Sequence, residues 1–138
     1  MIKIKLVELD KHRNETTFRP FLFAQEYLKQ VGIEFTDGDS YDYAWIGQAS
    51  IIDKKKSLKE SVENGLEFLN TITGDYMIVD GQDATTLIGT IDVFRESDAK
   101  LFLKNSYLKD FDLYKKGWAN GRMYWGEGDY SVPDIDEL

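Results

Sequence analysis

Short apolar runs separated by polar segments form the main pattern along the chain. The first run alternates apolar and polar residues up to Leu6, which is the period of a strand, and the adjacent Val7 indicates that both faces become covered. Three later runs are almost wholly apolar, which is typical of strands buried on both faces. The predicted strands, including a shorter one, are 2–9, 33–35, 43–47, 76–79 and 101–103.

Three segments between these strands have the spacing of amphipathic helices. Thr17 is placed to cap the first helix, and Gly32 is placed to end it in a left-handed conformation. Ser57 and Glu60 have the spacing of a capping box for the second helix, and Asp83 is placed to cap the third. The predicted apolar faces are Phe18, Phe21, Leu22, Leu28 and Val31; Leu58, Val62, Leu66, Leu69 and Ile72; and Leu87, Ile88, Ile91 and Phe94, with one more short helix over 107–114.

The alternation of strands and helices predicts the fold class. We expect an α/β, three-layer Rossmann-like domain with a mostly parallel sheet of four to five strands flanked by helices. Residues 1–126 are assigned to this single domain, and residues 127–138 to an acidic C-terminal tail. The link between 33–35 and 43–47 is too short for a helix, so these two strands have a second interpretation as an antiparallel hairpin.

Composition narrows the class of protein. The 138 residues are 42% hydrophobic and 30% charged, which is typical of one folded domain. The absence of cysteine excludes a disulfide framework, a thiolate zinc site and a cysteine nucleophile. No apolar run approaches the roughly 18 residues of a membrane span, and the first residues lack the apolar core of a signal peptide. These features predict a cytoplasmic protein without a membrane span.

Charge limits the choice of partners. The formal net charge is −8, and no basic residue follows Arg122. A protein of this sign repels phosphate backbones, and the sequence has no basic stripe with interleaved aromatic residues, so nucleic acid is not an expected partner. The acidic residues after Arg122 are Glu127, Asp129, Asp134, Asp136 and Glu137.

Small and polar residues follow the predicted strands. Ligands of open parallel sheets bind outside the carboxyl ends of the strands, so these residues are the candidate ligand contacts. They predict a crevice for a sugar or a phosphate, or, through the aspartates, for a hard cation. In the alternative interpretation, Asp83 only caps a helix and Asp80 closes a turn through Gly81. The candidates are Asp10, Gln48, Asp80, Gln82, Asp83, Lys104 and Asn105. No metal-ligand set and no cofactor is assigned.

Three residues are candidates for catalysis: His12, Asp80 and Asp83. His12 is the single histidine and follows the first predicted strand, where a general base could act. Its neighbours Lys11 and Arg13 are equally typical of a solvated loop. The first strand-to-helix turn has no glycine, which excludes a dinucleotide-binding loop at that point.

The segment after residue 117 is rich in aromatic residues. Trp118 and Trp125 could stack on sugar rings, with Arg122 available for sugar hydroxyls. In the alternative interpretation these side chains fasten the C-terminal segment to the sheet or cover an interface.

Two stretches resemble a known family. Residues 42–47 (DYAWIG), after a turn, and residues 75–83 (DYMIVDGQD), which open a helix, resemble the amino-terminal Rossmann-like half of GT-B glycosyltransferases. The resemblance covers most of residues 1–110 and consists of architecture and strand patterns rather than a diagnostic motif. It implies a half that contacts the acceptor, while a second Rossmann-like domain binds most of the donor nucleotide-sugar. These 138 residues contain no such second domain, so the resemblance implies no sugar transfer by the chain alone.

Three functional hypotheses follow. The first is a glycosyltransferase-like acceptor-side domain that binds a carbohydrate or nucleotide-sugar and acts with a partner domain or as a homodimer. The second is a non-enzymatic interaction or oligomerisation module that uses the aromatic C-terminal segment. The third is a small metal-dependent hydrolase that uses Asp10, Asp80 and Asp83. Whether the chain is an enzyme is left open by the sequence.

Overall fold

The computed structural model describes residues 1–8, 17–81, 87–107 and 109–115. The strands within these residues are β1 (Ile2–Val7), β2 (Ile33–Thr36), β3 (Tyr43–Gly47), β4 (Asp75–Asp80) and β5 (Phe102–Lys104). The helices are α1 (Arg19–Phe23), α2 (Gln25–Gln30), α3 (Leu58–Leu69), α4 (Thr90–Glu96) and α5 (Asp112–Lys115), and a 3-10 turn covers Gln48–Ser50.

The strands form one parallel sheet in the order β2-β1-β3-β4-β5. Helices flank the sheet, which confirms the predicted three-layer α/β, Rossmann-like fold. From β1 the chain first moves outward to β2 and then returns to the other side of β1. The point between β1 and β3 is therefore a topological switch point, where open α/β sheets bind their ligands.

The antiparallel hairpin considered for β2 and β3 is wrong, because the two strands lie on opposite sides of β1 and run parallel to it. The registers explain why a short link suffices. Thr36 ends β2 opposite Lys5, and Tyr43 starts β3 opposite Ile4. The chain therefore has to cross β1 over about 10 Å, which is two strand spacings. It hardly has to run back along the length of β1, because β3 starts at the level where β2 ends. The link 37–42 reaches about 20 Å when extended, so it needs no helix.

The link 37–42 is fastened to β1 through acidic side chains. Asp42 Oδ2 accepts a 2.7 Å hydrogen bond from the Lys3 backbone nitrogen, and the Asp42 backbone nitrogen donates to the Lys3 carbonyl oxygen at 2.9 Å. Asp39 Oδ1 lies 3.0 Å from Lys5 Nζ. Because the Lys5 side chain reaches this link, the link covers part of β1 where a helix would otherwise lie.

The core has two layers, one on each face of the sheet. On one face Ala44, Ile46 and Ile78 are fully buried against α3 and α4. On the other face the Trp45 ring meets the Phe21 ring of α1 edge-on, with the ring centres 4.8 Å apart. Successive side chains of a strand point to opposite faces, so the apolar run of β3 contributes to both layers, as predicted.

The first predicted helix is in fact two helices, α1 and α2, which are separated at Ala24. Thr17 is not its N-cap. The cap position is Phe18, no side chain caps the helix, and the Thr17 hydroxyl donates to Glu8 instead. The carboxylate that directly follows β1 thus accepts the hydroxyl hydrogen bond, and Thr17 does not cap the helix as the sequence pattern predicted. Gly32 has the predicted left-handed conformation, with a φ of 89°.

The helix α3 begins as predicted, and its start is stabilised by Ser57. The Ser57 hydroxyl oxygen accepts a 3.2 Å hydrogen bond from the Glu60 backbone nitrogen. The fully buried positions of the helix are Ser61, Gly65 and Leu69. Two of these three residues are small, so α3 lies close to its neighbours.

We expect Gly65→Ala to lower the free energy of unfolding by about 1–3 kcal/mol. A Cβ at Gly65 would overlap the Ile51 carbonyl oxygen and lie 3.2 Å from Val93 Cγ2. Helix propensity alone predicts the opposite sign, since alanine is favoured over glycine by about 1 kcal/mol. Urea denaturation measures the change. Glu67→Ala, on the exposed side of α3, should change stability by less than about 0.5 kcal/mol. A Gly65→Ala protein as stable as the original would contradict the close approach.

The elements after β4 differ most from the predictions. The helix α4 follows Gly89, whose φ is 82° and whose backbone nitrogen donates to Asp92 Oδ2 at 3.1 Å. Asp83, the predicted cap, lies outside the described residues. β5 begins and ends one residue later than predicted, so Lys104 ends the strand instead of following it. The helix α5 is shorter than the predicted 107–114.

Two further predictions concern the chain as a whole. In the described residues, no helix combines the length and the apolar character needed to cross a bilayer. The predicted domain boundary at 126 and the tail 127–138 lie outside the described residues.

Candidate functional site

The candidate site lies at the carboxyl edge of the sheet, which we define as the residues at or directly after the ends of β1, β3, β4 and β5. Glu8 follows β1 and Gly47 ends β3, one on each side of the switch point. A Cβ on Gly47 would come within 2.9 Å of Glu8 Cδ, so the Glu8 side chain lies directly over the glycine. Glycine at this position therefore leaves room for a carboxylate at the switch point.

Thr17 holds the Glu8 carboxylate in place. The Thr17 hydroxyl donates a 3.2 Å hydrogen bond to Glu8 Oε1, and both side chains are half-buried. Thr17 also covers Gly81, where a Cβ would lie 2.8 Å from the Thr17 hydroxyl oxygen. The hydroxyl–carboxylate pair thus spans the ends of β1, β3 and β4 and restricts the position of the carboxylate.

Gln48 follows β3 and begins the 3-10 turn, which lies against β4. The residue is 6% exposed, and its side-chain Nε2 is buried without a hydrogen-bond partner among the described residues. The turn is fastened to β1, because the Ser50 hydroxyl donates to the Val7 carbonyl oxygen at 3.3 Å. A buried donor without an acceptor costs about 1–3 kcal/mol, so such a group points to a water molecule or a ligand oxygen that completes it.

An ion pair joins the last residues of β4 and β5. Lys104 Nζ lies 3.3 Å from Asp80 Oδ1, and the two side chains are 6% and 0% exposed. The Thr90 hydroxyl donates a 2.7 Å hydrogen bond to Asp80 Oδ2, so both oxygens of this carboxylate are engaged. The sequence placed Asp80 and Lys104 near one edge, and the structure brings them into contact because they are direct partners in the sheet register.

Two more predicted residues share this edge. Asn105 is exposed, and its backbone nitrogen donates to the Asp80 carbonyl oxygen at 2.9 Å, which extends the ladder one residue beyond β5. Gly47 pairs with Val79, so the following Gln48 stands at the level of Asp80 along the sheet. The predicted site residues that lie at this edge are Gln48, Asp80, Lys104 and Asn105.

The remaining predicted site residues lie outside the described residues: Asp10, His12, Gln82, Asp83, Trp118, Arg122 and Trp125. Their roles stay predictions. This applies to the general base, to the aromatic contacts with sugar and to the convergence of three aspartates.

Metal binding has no support among the residues that the structure describes. These residues contain no group of three or more histidine, aspartate or glutamate side chains that could hold an ion. At Asp80 a cation would have to displace the Lys104 ammonium and the Thr90 hydroxyl from the carboxylate. The contacts of Asp80 are therefore those of a buried structural ion pair.

Glu8 at the carboxyl edge and its hydrogen-bond partner Thr17 are not among the predicted site residues. The predicted first strand extends to Leu9, which makes Asp10 the first polar residue expected beyond it. β1 ends at Val7, so Glu8 takes this position instead. One feature of the sequence could have indicated Glu8. It continues the even-numbered positions, Ile2, Ile4 and Leu6, that form one face of β1. The role of Thr17 had no such signal, because its partner is nine residues away along the chain.

Comparisons with protein-family models, with curated proteins and with solved structures find no significant match for this chain. The resemblance to GT-B glycosyltransferases therefore stays a prediction from strand patterns. The function is argued below from the geometry of the carboxyl edge.

Proposed function

We propose that the chain is a Rossmann-like binding domain for a neutral, hydroxyl-rich ligand, and that it acts as the acceptor-side domain in carbohydrate chemistry. The ligand lies at the carboxyl edge between β1 and β3, beside Glu8 and Gln48. One observation carries the proposal. The buried Gln48 amide is a donor without an acceptor among the described residues, and it follows the glycine on which the Glu8 carboxylate lies.

The pairing of a donor with an acceptor favours hydroxyl groups. A hydroxyl both donates and accepts hydrogen bonds, whereas a carboxylate only accepts them and an amide NH₂ only donates them. One ligand hydroxyl can donate to Glu8 while a neighbouring ligand oxygen accepts from Gln48 Nε2. A phosphate at the same place would meet the negative charge of Glu8. This part of the edge therefore favours a neutral sugar or polyol over an anion.

Both groups are positioned before any ligand arrives. Thr17 holds Glu8 through its hydroxyl, and the turn that carries Gln48 is bonded to the end of β1 through Ser50. A preorganised site loses less conformational freedom on binding, which favours affinity for a small ligand. On the glycosyltransferase interpretation, the donor nucleotide-sugar belongs to a partner domain or a second subunit, and this chain contributes the acceptor contacts.

The proposal is tested by titrating the ¹⁵N-labelled protein with glucose, maltose and UDP-glucose and recording two-dimensional NMR spectra. We expect saccharides to shift the Gln48 side-chain amide signals and the backbone signals of Glu8 and Gly47. Gln48→Ala and Glu8→Gln should each weaken saccharide binding by about tenfold or more, as is typical for the loss of one buried hydrogen bond or one to a charged group.

Glu67→Gln is the matched control for Glu8→Gln, because it makes the same chemical change on the exposed surface of α3. It should leave the saccharide affinity unchanged. The proposal fails if neither glucose nor maltose shifts the Gln48 amide signals, or if Glu67→Gln weakens binding as much as Glu8→Gln does.

The two other functions from the sequence stay predictions. The interaction module depends on Trp118 and Trp125, and the metal-dependent hydrolase depends on Asp10 and Asp83; all four residues lie outside the described ranges. For the hydrolase, the engagement of Asp80 by Lys104 is an argument against a metal at that carboxylate.

A further inference from the structure

A cavity lies beside the carboxyl edge, between the loop 49–56 and the helix α3. Its volume is about 440 Å³, which is in the range of small-molecule sites. The residues proposed to contact the saccharide, Glu8 and Gln48, do not line this cavity. We call this cavity the lysine cleft, after the three consecutive lysines in its wall, Lys54, Lys55 and Lys56.

The charge of the lysine cleft is opposite to that of the chain. The whole chain has a net charge of −8, whereas the cleft wall contains three lysines and one carboxylate, Asp53. Lys56 Nζ lies 3.4 Å from Glu60 Oε1, so part of its charge is already compensated. Lys55 is exposed and forms no ion pair within the described part of the chain. Lys54 is also engaged by another group. The charge that remains available in the cleft is therefore mainly that of Lys55, and it favours an anionic ligand over a cationic one.

The buried polar groups of the cleft wall also call for a hydrogen-bond acceptor. Asn64 Nδ2 is buried and has no hydrogen-bond partner among the residues that the structure describes. The fully buried Ser61 hydroxyl oxygen accepts a 2.8 Å hydrogen bond from the Asp53 backbone nitrogen, which leaves its hydroxyl hydrogen available for an acceptor. The wall therefore contains two side-chain donors, Asn64 Nδ2 and the Ser61 hydroxyl, that have no acceptor among the described residues.

Part of the wall is apolar. Phe68 lines the cleft together with the buried Ile51 and Ile52. An anion alone would leave the half-buried Phe68 ring uncovered, whereas a ligand with a ring or a short aliphatic part would pack against it. The cleft thus combines a cationic, donor-rich part with an apolar part.

We propose that the lysine cleft binds a small organic phosphate. The phosphate oxygens accept hydrogen bonds from Asn64 Nδ2 and from the Lys55 ammonium, and the organic part packs against Phe68. A phosphate group offers only acceptor oxygens and up to two negative charges, which matches the Asn64 amide, the Ser61 hydroxyl and the Lys55 ammonium. A nucleic acid is disfavoured, because the chain as a whole has a negative net charge that repels a phosphate backbone. The site does not depend on the proposed saccharide site.

The experiment uses isothermal titration calorimetry and NMR of the full chain with AMP, inorganic phosphate and adenosine. We expect AMP to bind and to shift the Asn64 side-chain amide signals. Inorganic phosphate should bind more weakly at the same signals, and adenosine should bind most weakly, because it lacks the anion. AMP affinity should fall as the salt concentration rises.

Lys55→Ala should weaken AMP binding by about fivefold or more, as expected for the loss of a hydrogen bond to a charged group at a partly exposed position. Lys59→Ala is the matched control, because Lys59 is 87% exposed on α3 and does not line the cleft. It should leave AMP affinity unchanged. Both lysines are exposed, so neither variant should unfold, and the NMR spectra verify this.

Three results would overturn the proposal. The first is the absence of AMP binding at millimolar concentration, and the second is an equal loss of affinity in Lys55→Ala and Lys59→Ala. The third is a shift of the Asn64 amide by a hexaglutamate peptide but not by AMP, which would assign the cleft to an acidic peptide. The Asn64 signals report on this cleft and the Gln48 signals report on the saccharide site, so failure of one proposal is distinguishable from failure of the other.

Discussion

Replacing Lys104 with methionine lowers the free energy of unfolding by about 3–5 kcal/mol. The substitution keeps most of the apolar stem but removes the ammonium that lies 3.3 Å from Asp80 Oδ1. Because Asp80 is fully buried, water cannot replace the lost counter-charge. Urea denaturation followed by circular dichroism measures the loss.

Lys100 provides the matched control for this prediction. Lys100 Nζ lies 3.9 Å from Asp75 Oδ1 near the opposite ends of the same two strands, and these side chains are 63% and 55% exposed. Lys100→Met should therefore lower stability by less than about 1 kcal/mol. The double variant Asp80→Leu/Lys104→Met should be more stable than Lys104→Met alone, since it contains no isolated buried charge. Equal losses in Lys104→Met and Lys100→Met would show that the buried pair does not stabilise the carboxyl edge.

Phe18→Ala should also lower the free energy of unfolding by about 3–5 kcal/mol. The Phe18 side chain is fully buried, and its carbonyl oxygen accepts hydrogen bonds of 2.9 Å from the backbone nitrogens of Phe21 and Leu22. The Phe18 backbone is thus bonded to the first turn of α1, and its ring is buried beside it. Truncation removes its packing contacts and leaves a cavity that the surrounding backbone can close only in part. Thermal and urea denaturation both report this change.

Phe23 offers the same substitution on the same helix at a position that is 77% exposed. Its ring centre lies 5.3 Å from the Arg19 guanidinium carbon, a contact that contributes at most about 0.5–1 kcal/mol at an exposed site. Phe23→Ala should therefore lower stability by less than about 1 kcal/mol. If both variants lost the same stability, burial would not explain the effect of Phe18.

Phe18 and the Asp80–Lys104 pair also hold parts of the proposed binding site in position. Phe18 follows Thr17, the residue that holds the Glu8 carboxylate, so the buried ring fixes the start of the segment that orients Glu8. The Asp80–Lys104 pair fixes the ends of β4 and β5 beside the turn that begins with Gln48. A ligand at the carboxyl edge would thus contact side chains whose supports lie in the core.

Much of the fold could be predicted from local patterns. The bounds of β3 are as predicted, because an apolar run between turn residues marks a strand buried on both faces. Ser57 and Gly32 act as the caps that their residue types indicate, since capping depends on a few neighbouring residues. The prediction for Thr17 was wrong for the opposite reason. Its hydroxyl donates to Glu8, directly after β1, which is outside the few residues that a capping pattern considers.

The candidate site could be predicted only in part. Gln48, Asp80, Lys104 and Asn105 were placed near one edge, because parallel strands bring their carboxyl ends together. The sequence did not show that Asp80 and Lys104 form a buried ion pair, which depends on the register of β4 against β5. It also did not show the lysine cleft, whose wall joins a loop to the middle of a helix.

The sequence by itself determined the kinds of elements in this protein, their order and the burial of the main strands, because periodicity, caps and turns act over a few residues. Only the tertiary structure decided that β2 and β3 flank β1, that Glu8 lies over a glycine at the switch point and that Asp80 meets Lys104. These contacts join residues far apart in the chain. Their geometry is set by strand register and by the space between packed layers, which no local pattern contains.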